Sequence, residues 1–316
     1  MINDQIGDLL KPKIVVVGSV NMDLIVKVSK LPTIGETVIS GIFKMVPGGK
    51  GANQAVAVAK LGAESHFVGR IGDDDFGRVL MENFREAGVG IEYVSIDRSS
   101  HTGVALIMVD QDGRNIIAVA SGANSKLTVE DVEKAQDSIK SASAVLLQLE
   151  IPLESVMRAA SIAKEGKSSV ILNPAPARPL PIELIQLVDV IVPNEVEAEV
   201  LTGVKVRDID SARKAGEKLL ELGSGTAVIT LGEKGAVLVS PDGFSHISAL
   251  RVKTVDTTGA GDAFCGALAL ALASGKDFKE AVFIANCCAA LATTKIGAQE
   301  ALPTFRELES FLKSLE

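Results

Sequence analysis

Short, continuous apolar runs alternate along the chain with longer stretches in which apolar residues recur at helical spacing. The runs are Ile14–Gly18, Val145–Leu147, Val170–Leu172, Val190–Val192 and Val228–Ile229. The stretches of helical spacing are Ala52–Leu61, Phe76–Ala87, Leu153–Lys164, Ser211–Leu222, Ala263–Ala273 and Phe278–Thr294. Runs without polar alternation are typical of parallel strands that are covered on both faces. The succession therefore predicts an α/β fold with a mostly parallel central sheet covered by helices.

Two segments, at about residues 22–46 and 98–121, lack this rhythm. The first has strand-like residues around Gly35–Val38, and the second contains a hairpin, Gly103–Ala120, with Asp112 and Gly113 at its turn. We expect both to form a small β-sheet lid inserted within a single domain of residues 1–316. Because the hairpin is apolar on both faces, one face is a candidate contact with a second copy of the chain, in a homodimer. Residues 1–12 are predicted to be a disordered tail.

Composition narrows the class of partners. The chain has 47% hydrophobic residues, 3% aromatic residues, no Trp and a net charge of −8. Such a chain lacks the basic surface and stacking platforms that bind nucleic acid, and it is not expected at an anionic membrane. No apolar run reaches the roughly 18 residues of a membrane span. The three cysteines, Cys265, Cys287 and Cys288, lie in apolar stretches as core residues, so we predict a reducing, cytoplasmic location.

Polar residues follow the predicted strands at the points where the strands end. They are Asn21 and Asp23 after the first run, then Glu150, Asn173, Asn194, and Thr230 with Gly232 after the others. In an open parallel sheet, ligands bind outside the carboxyl ends of the strands. A simple turn of the chain explains some of these residues but not the repeated use of amides and acids. They are therefore candidates for a ligand site.

The segment Val255–Phe264 has the residues of an anion site with a base beside it. The backbone N–H groups of Gly259, Ala260 and Gly261 are predicted to be unpaired at the start of a helix, where no bulky side chain blocks a ligand. Asp262 follows them, and a carboxylate there is useful if it takes a proton from a hydroxyl as the anion arrives. This pattern indicates phosphoryl transfer to an alcohol, with Asp262 as general base. The alternative is that Asp262 is only a helix N-cap and the glycines only a tight turn.

A second glycine-rich segment, Pro47–Asn53, offers Lys50 and Asn53 as donors at the start of a helix. It lacks the spacing of a Walker A loop, and no G-x-G-x-x-G follows a strand. Taken alone, this segment is equally well interpreted as a loop-to-helix turn.

Six motifs, in order, resemble the ribokinase (PfkB) family of carbohydrate kinases, and the resemblance runs from Ile14 to Phe311. The motifs are Gly18–Asp23, Gly48–Ala55, Asn173–Ala177, Pro193–Glu195 with Glu197, Asp256–Asp262 and Lys295–Gln299. The resemblance implies a ribokinase-like three-layer fold. It also implies ATP-dependent phosphorylation of D-ribose at the 5-hydroxyl, which gives ribose 5-phosphate and ADP.

The resemblance further implies roles for individual residues. Asp262 matches the catalytic base, and Gly259, Ala260 and Gly261 match the anion hole. The positions that hold the sugar are Asn21, Asp23, Gly49, Lys50, Asn53, Glu150 and Asp262. The ATP positions are Asn194, Thr230, Gly232, Gly235, Gly261 and Asn286. Asn194 and Glu197 match the magnesium region, and an activating potassium ion is matched by Asp256, Thr258, Ala292, Lys295 and Gly297.

The sequence departs from the family pattern at two positions. Ala301 stands where a serine hydroxyl often completes the cation shell, and Asn286 replaces a histidine near the adenine in some relatives. The first departure puts potassium dependence in doubt, and the second puts nucleotide preference in doubt. Two alternatives to a ribose kinase therefore stay open: a kinase for another small sugar or nucleoside (deoxyribose, fructose or adenosine), or a sugar-binding regulator without catalysis.

Overall fold

The computed structural model describes residues 11–39 and 41–315. Within these ranges the strands are β1 (Lys13–Val17), β2 (Asn21–Lys27), β3 (Ile42–Gly48), β4 (Glu64–Gly72), β5 (Val89–Asp97), β6 (Gly103–Val109), β7 (Asn115–Ala120), β8 (Ala144–Leu147), β9 (Ser169–Leu172), β10 (Val190–Ile191), β11 (Thr226–Thr230), β12 (Ala236–Ser240) and β13 (Gly243–Ile247). The helices are α1 (Lys50–Lys60), α2 (Asp75–Ala87), α3 (Val129–Lys134), α4 (Gln136–Ser141), α5 (Leu153–Gly166), α6 (Ile182–Ile185), α7 (Glu195–Thr202), α8 (Ile209–Glu221), α9 (Ala260–Ala273), α10 (Phe278–Ala292) and α11 (Phe305–Lys313).

Nine strands form a large sheet in the order β13-β12-β11-β10-β9-β8-β1-β4-β5. Neighbours from β11 to β5 are parallel, whereas β12 and β13 are antiparallel at one edge. The five apolar runs of the sequence are β1, β8, β9, β10 and β11, which are neighbours at the centre of this sheet. Central strands are buried on both faces and are therefore continuously apolar. The prediction of a mostly parallel α/β fold is confirmed.

Side chains of the central strands alternate between two cores, one on each face of the sheet. Ile14 and Val16 of β1 pack in the core that contains α1, α9 and α10. Val15 and Val17 pack in the opposite core, with α5 and α8. The sheet and the helices on its two faces make three layers. The three cysteines are buried and free, as predicted.

The strands β3-β2-β6-β7 form a separate four-stranded sheet. Its β6–β7 hairpin turns at Asp112 and Gly113, as predicted, and Gly113 has a φ of 81°. The prediction of strand around Gly35–Val38 is wrong. The backbone there closes a turn, in which the N–H of Glu36 donates to the Thr33 carbonyl at 2.9 Å. Strand β2 pairs instead with the later segment β3 on one side and with β6 on the other.

The predicted disordered tail, residues 1–12, falls mainly on residues 1–10, which lie outside the described residues. Pro12 is described: it is buried, and its carbonyl accepts the N–H of Glu64 at 3.1 Å. None of the helices described here is long and apolar enough to span a membrane.

Helices α1 and α9 approach each other closely on one face of the large sheet. A Cβ added at Gly266 of α9 would lie 2.7 Å from the Cβ of Ala57 on α1, which is too close for two carbon atoms. Glycine at this position therefore lets the two helices touch. Their contact brings side chains of α1 within hydrogen-bond distance of the first turn of α9.

Candidate active site

The carboxyl edge of the large sheet brings together the residues predicted to hold a sugar. Asn21 and Asp23 lie on β2, directly after β1, and Lys50 and Asn53 lie in the first turn of α1. Glu150 follows β8, and one of its carboxylate oxygens accepts bonds from the Ser19 hydroxyl and from the Lys50 backbone N–H. These side chains come from three separate parts of the chain. Their convergence follows the rule that parallel sheets bind ligands beyond their carboxyl ends.

The glycines just before α1 and in its first turn allow the chain to pack against the segment after β1. A Cβ at Gly48 would lie 2.2 Å from a carboxylate oxygen of Asp23, and one at Gly51 would lie 2.7 Å from the Ser19 nitrogen. Gly49 has a φ of 92°, a backbone conformation that residues with a side chain rarely adopt. Gly49 is thus placed against the backbone of the sugar-side residues rather than in a free loop. The interpretation of Pro47–Asn53 as a simple turn does not account for this close packing.

Asp262 is buried in the first turn of α9, with only 8% of its surface exposed. Its Oδ2 accepts the side-chain amide of Asn53 at 2.9 Å, and its Oδ1 accepts the amide of Gln54 at 3.1 Å. Burial raises the pKa of Asp262, although the charge of Lys50 and these two amides oppose the effect. The N-cap of α9 is Gly259, so the interpretation of Asp262 as the N-cap is wrong.

A chain of amides lies behind Asp262, and two of them, the buried Gln54 and Gln148, were not assigned any role from the sequence. Gln54 accepts the amide of Gln148 at 2.6 Å through its Oε1, while its Nε2 also lies 3.3 Å from the Oδ1 of Asn173. Asn173 donates in turn to the carbonyl of Val192 at 3.0 Å. Two signals in the sequence could have pointed to these amides. Gln54 and Asn173 lie inside the motifs that resemble the family, and Gln148 directly follows β8, at the end of a strand. These amides fix the orientation of Gln54, and Gln54 fixes that of the carboxylate.

The start of α9 differs in one respect from the expected anion site. Gly259 has a φ of 76°, and space around Gly261 is open, because a Cβ there would meet nothing within 4 Å. However, the N–H of Ala260 donates to the Thr257 carbonyl at 3.2 Å. The expectation of three unpaired N–H groups is therefore wrong for Ala260, because the chain closes a turn before the helix begins. Within the part of the chain that the structure describes, the N–H groups of Gly259 and Gly261 have no partner.

Lys50 is a positive charge among several carboxylates. Burial alone lowers the pKa of Lys50. The carboxylates of Asp262, Glu150 and Glu197 outweigh this effect, so its pKa is raised and the ammonium stays charged. The pKa of Asp23 is raised to about 7, mainly by burial and further by the neighbouring charges of Glu150 and Asp262.

The residues predicted on the nucleotide side lie along the ends of the next strands. Asn194 and Glu197 form a capping box at the start of α7, with both bonds 2.9 Å long. Asn194 also bridges to Thr230 at the end of β11. Burial raises the pKa of Glu197. Asn194 and Glu197 thus have a structural role at the helix start, whatever they bind.

Gly235 and Asn286 meet at one stretch of backbone after β13. A Cβ at Gly235 would lie 2.1 Å from the Ile247 carbonyl oxygen, and the buried amide of Asn286 donates to that same carbonyl at 3.0 Å. Gly232, with a φ of 55°, begins the short 3-10 turn that leads to Gly235. Two of the six residues that the resemblance assigned to ATP, Gly235 and Asn286, are therefore brought together in the fold.

Three of the five predicted cation residues, Asp256, Thr258 and Gly297, meet beside α9. The Asp256 carboxylate accepts the Thr258 N–H at 2.9 Å and hydroxyl at 2.7 Å through one oxygen, and the Gly297 N–H at 3.0 Å through the other. Burial opposes the charge of Asp256, but these bonds outweigh it and lower its pKa. Ala292 is the last residue of α10, and the side chain of Lys295 bonds to Glu307, away from Asp256. Among the described residues no cluster of three or more His, Cys, Asp or Glu side chains is placed to hold a metal.

The fold and site together define a class of protein. A buried carboxylate lies at a glycine-rich helix start, next to a lysine and several other polar side chains, at the carboxyl edge of a three-layer α/β sheet. These are the parts of an α/β small-molecule kinase. Residues 11–305 match the model of the pfkB family carbohydrate kinases. The chain belongs to this family.

Individual relatives are similar over nearly their whole length. The ribokinase of Haemophilus influenzae is 42% identical over 305 residues, which are 96% of this chain and 99% of that protein. A deoxyribokinase of Salmonella typhi is 38% identical over 300 residues, covering 95% and 98%. The structure of Arabidopsis thaliana ribokinase complexed with ribose and ATP aligns with a TM-score of 0.89 at 35% identity, covering 96% of this chain and 99% of that one.

The raised pKa of Asp23 predicts how stability depends on pH. In the unfolded chain the carboxyl has a pKa of about 4. The folded chain therefore keeps a proton that the unfolded chain has lost, and the stability this proton contributes is full below pH ~4 and lost as pH rises through about 7. Asp23→Asn, which imitates the protonated form, is expected to gain on the order of 2 kcal/mol relative to wild type between pH 5 and pH 8. Urea unfolding of the ligand-free protein measures this gain, and an equal difference at both pH values would contradict the raised pKa.

Proposed function

We propose that this chain phosphorylates D-ribose with ATP at the 5-hydroxyl, giving ribose 5-phosphate and ADP. The observation that carries the proposal is the buried Asp262 carboxylate, which Asn53 and Gln54 hold at the start of α9. Family membership supports a carbohydrate substrate, and the similarity to ribokinases over nearly the whole chain supports ribose in particular. The relative complexed with ribose and ATP supports the same pair of substrates.

Asp262 acts as the general base in this proposal. The O5 oxygen of ribose attacks the γ-phosphorus of ATP, its proton passes to a carboxylate oxygen of Asp262, and the bond to the leaving ADP breaks. Burial raises the pKa of Asp262 and so makes the carboxylate a stronger base than an exposed aspartate. Asn53 and Gln54 keep the carboxylate in one orientation, so that no reorientation is needed when the sugar arrives.

The sugar hydroxyls are bound by the polar cluster around Lys50. Asn21, Asp23, Glu150 and Asn53 offer both acceptors and donors, as a polyol requires. Gly49 allows the ring to approach the backbone. Lys50 balances the surrounding carboxylates, which would otherwise repel both one another and the incoming triphosphate. The small sheet carries Asn21 and Asp23, and we propose that it closes over the sugar as a lid and excludes water.

The nucleotide and its ions are assigned to the other side of α9. Gly259 and Gly261 offer N–H groups to the transferring phosphoryl group. The rest of ATP, up to its adenine, is lined by Asn194, Thr230, Gly232, Gly235 and Asn286. Mg²⁺ would be held near Asn194 and Glu197, whose oxygen atoms suit a hard cation, and would neutralise charge on the phosphates. The atoms proposed to bind K⁺ are all oxygens, which suits this cation. They belong to the side chains of Asp256 and Thr258 and to the carbonyls of Ala292, Lys295 and Gly297. A cytoplasmic location stays a prediction.

A panel of substrates tests the proposed function. ADP release is measured with MgATP and D-ribose, deoxyribose, fructose or adenosine, each in KCl and in NaCl. The highest kcat/KM with ribose is expected. The highest value with deoxyribose would favour the second candidate, which the 38% identity to a deoxyribokinase supports. Ribose binding without turnover of any substrate would favour a regulator without catalysis.

Replacing the proposed base has a defined outcome. Asp262→Asn is expected to lower kcat about 10²–10⁴-fold, because the amide cannot take the proton. The dissociation constant for ribose, measured by calorimetry, should change little. Asp75→Asn is the matched control, since the Asp75 side chain is 92% exposed on α2, and it should keep wild-type kcat. Near-normal turnover of Asp262→Asn with unchanged ribose affinity would rule out the role of base.

We also propose a homodimer formed through the small sheet. Seven apolar side chains of this sheet are between 48% and 63% exposed: Ile42, Phe43, Met45, Leu106, Ile116, Ile117 and Val119. A monomer seldom exposes so many neighbouring apolar side chains. In the strand register, Phe43, Met45, Leu106 and Ile116 lie on one face of the sheet, and the other three lie on the opposite face. Packing the first face against a second copy would bury these four side chains and would hold each lid in place.

The dimer is tested by a single charge on this surface. Light scattering after gel filtration is expected to give twice the chain mass for wild type and one chain mass for Leu106→Asp, because a buried carboxylate without a partner opposes association. Val79→Asp is the matched control, since Val79 is 52% exposed on α2, outside the small sheet. A Leu106→Asp protein that stays dimeric would place the interface elsewhere.

A further inference from the structure

Lys60, the last residue of α1, holds the segment that follows the proposed cation site. Its ammonium donates to the backbone carbonyl of Gln299 at 2.7 Å and to that of Leu302 at 3.3 Å. Bonds from a charged donor to a carbonyl are stronger than bonds between neutral groups. These two hydrogen bonds join Lys60 to the backbone of one short segment, far along the chain from α1.

A second side chain holds the same segment from α2. The amide of Asn83 donates to the side-chain oxygen of Gln299 at 2.7 Å. Gln299 is 6% exposed and Leu302 is 1% exposed, so the segment is packed as well as bonded. Residues 299–302 are thus fixed to helices α1 and α2. The turn at residues 297–298 directly precedes them, so its position is held from this end.

That turn touches both the cation residues and the helix start of Asp262. Gly297 donates its N–H to the Asp256 carboxylate at 3.0 Å. On its other side, Ala298 packs against Gly259, because a Cβ on Gly259 would lie 3.3 Å from the Ala298 carbonyl oxygen. A shift of the segment at residue 299 would therefore move a cation ligand and the N-cap of α9 together.

We propose that Lys60 is a positioning residue for the monovalent-cation site: by binding the carbonyls of Gln299 and Leu302 it sets the place of Gly297 and Ala298, and so the affinity for the cation. Helix α1 then carries the sugar-side Lys50 and Asn53 at one end and this contact at the other. The inference rests on the cation site within the proposed function. It assigns to Lys60 no contact with ribose, ATP or the cation itself.

The test uses K⁺ binding measured without catalysis. The melting temperature of the ligand-free protein is recorded against KCl concentration, with NaCl at equal ionic strength as reference, because a ligand that binds the folded state raises it. Residues that support metal ligands typically contribute about 10–100-fold to affinity. Lys60→Met is expected to raise the half-saturating K⁺ concentration about tenfold or more, and Lys60→Arg, which keeps the charge and donors, to restore most of it.

Kinetics separate this role from a general loss of structure. The K⁺ concentration for half-maximal activity should rise in Lys60→Met by the same factor, while the KM for ribose stays within about threefold of wild type. Lys164→Met is the matched control, since Lys164 pairs with Asp189 on the opposite face of the sheet, and it should leave K⁺ affinity unchanged. Asn83→Ala should weaken K⁺ binding in the same direction, and it decides the question if Lys60→Met does not fold.

The outcomes distinguish this inference from the proposed function. Unchanged K⁺ affinity in Lys60→Met overturns the positioning role. If Lys60→Met does not fold, unchanged K⁺ affinity in Asn83→Ala overturns it instead. The role is also overturned if the melting temperature and activity of the wild-type protein do not respond to K⁺. Ribose phosphorylation can stand in both cases. A third outcome is a wild-type protein that responds to K⁺ but phosphorylates no sugar, with the K⁺ response lost in Lys60→Met. This outcome would support the positioning role and overturn the proposed function.

Discussion

The burial of the Asp262 carboxylate is the constraint on which the rest of the site depends. A buried charge is costly unless hydrogen bonds and an opposite charge compensate it. Asn53 and Gln54 supply the bonds, and Lys50 supplies the charge. All three lie in the first two turns of α1, so the position of this helix relative to α9 decides whether the carboxylate is tolerated. The absence of a side chain at Gly266 permits the close contact that this arrangement needs.

Helix α1 connects several parts of the molecule. Its first turn packs on the backbone after β1 through Gly51, its middle contacts α9, and its last residue holds the segment at residues 299–302. A helix with ordinary hydrogen bonding along its length transmits position well, because it does not bend without a cause. The sugar-side cluster and the proposed cation site are therefore placed by one rigid element, although the residues that form them are far apart in the chain.

Local charge, rather than net charge, suits this site to an anionic substrate. The chain carries a net charge of −8. Around Lys50, burial and mutual repulsion of carboxylates raise the pKa of Asp23 to about 7, so near neutral pH the cluster is less negative than its composition suggests. Unpaired N–H groups at the start of α9 add a positive potential that costs no side chain. The same burial raises the pKa of Asp262, which would strengthen the carboxylate in its proposed role as a base.

Local pattern was sufficient for the centre of the fold and for the motifs. The five central strands are continuously apolar because both of their faces are buried, and Val255–Phe264 shows its glycines and acid within ten residues. Strand pairing is not local, so the edge strands of the large sheet and the place of β3 escaped prediction. The bond that occupies the Ala260 N–H is local, because it reaches back only to Thr257, and it was missed because the helix start was expected to leave all three N–H groups unpaired. The amide chain through Gln148 and Gln54, and the contact of Lys60 with residues 299 and 302, join positions about 94 and 240 residues apart. The sequence by itself determined which chemical groups are present and where strands end, whereas only tertiary packing decided which of those groups meet, because distance in space depends on how all the layers pack.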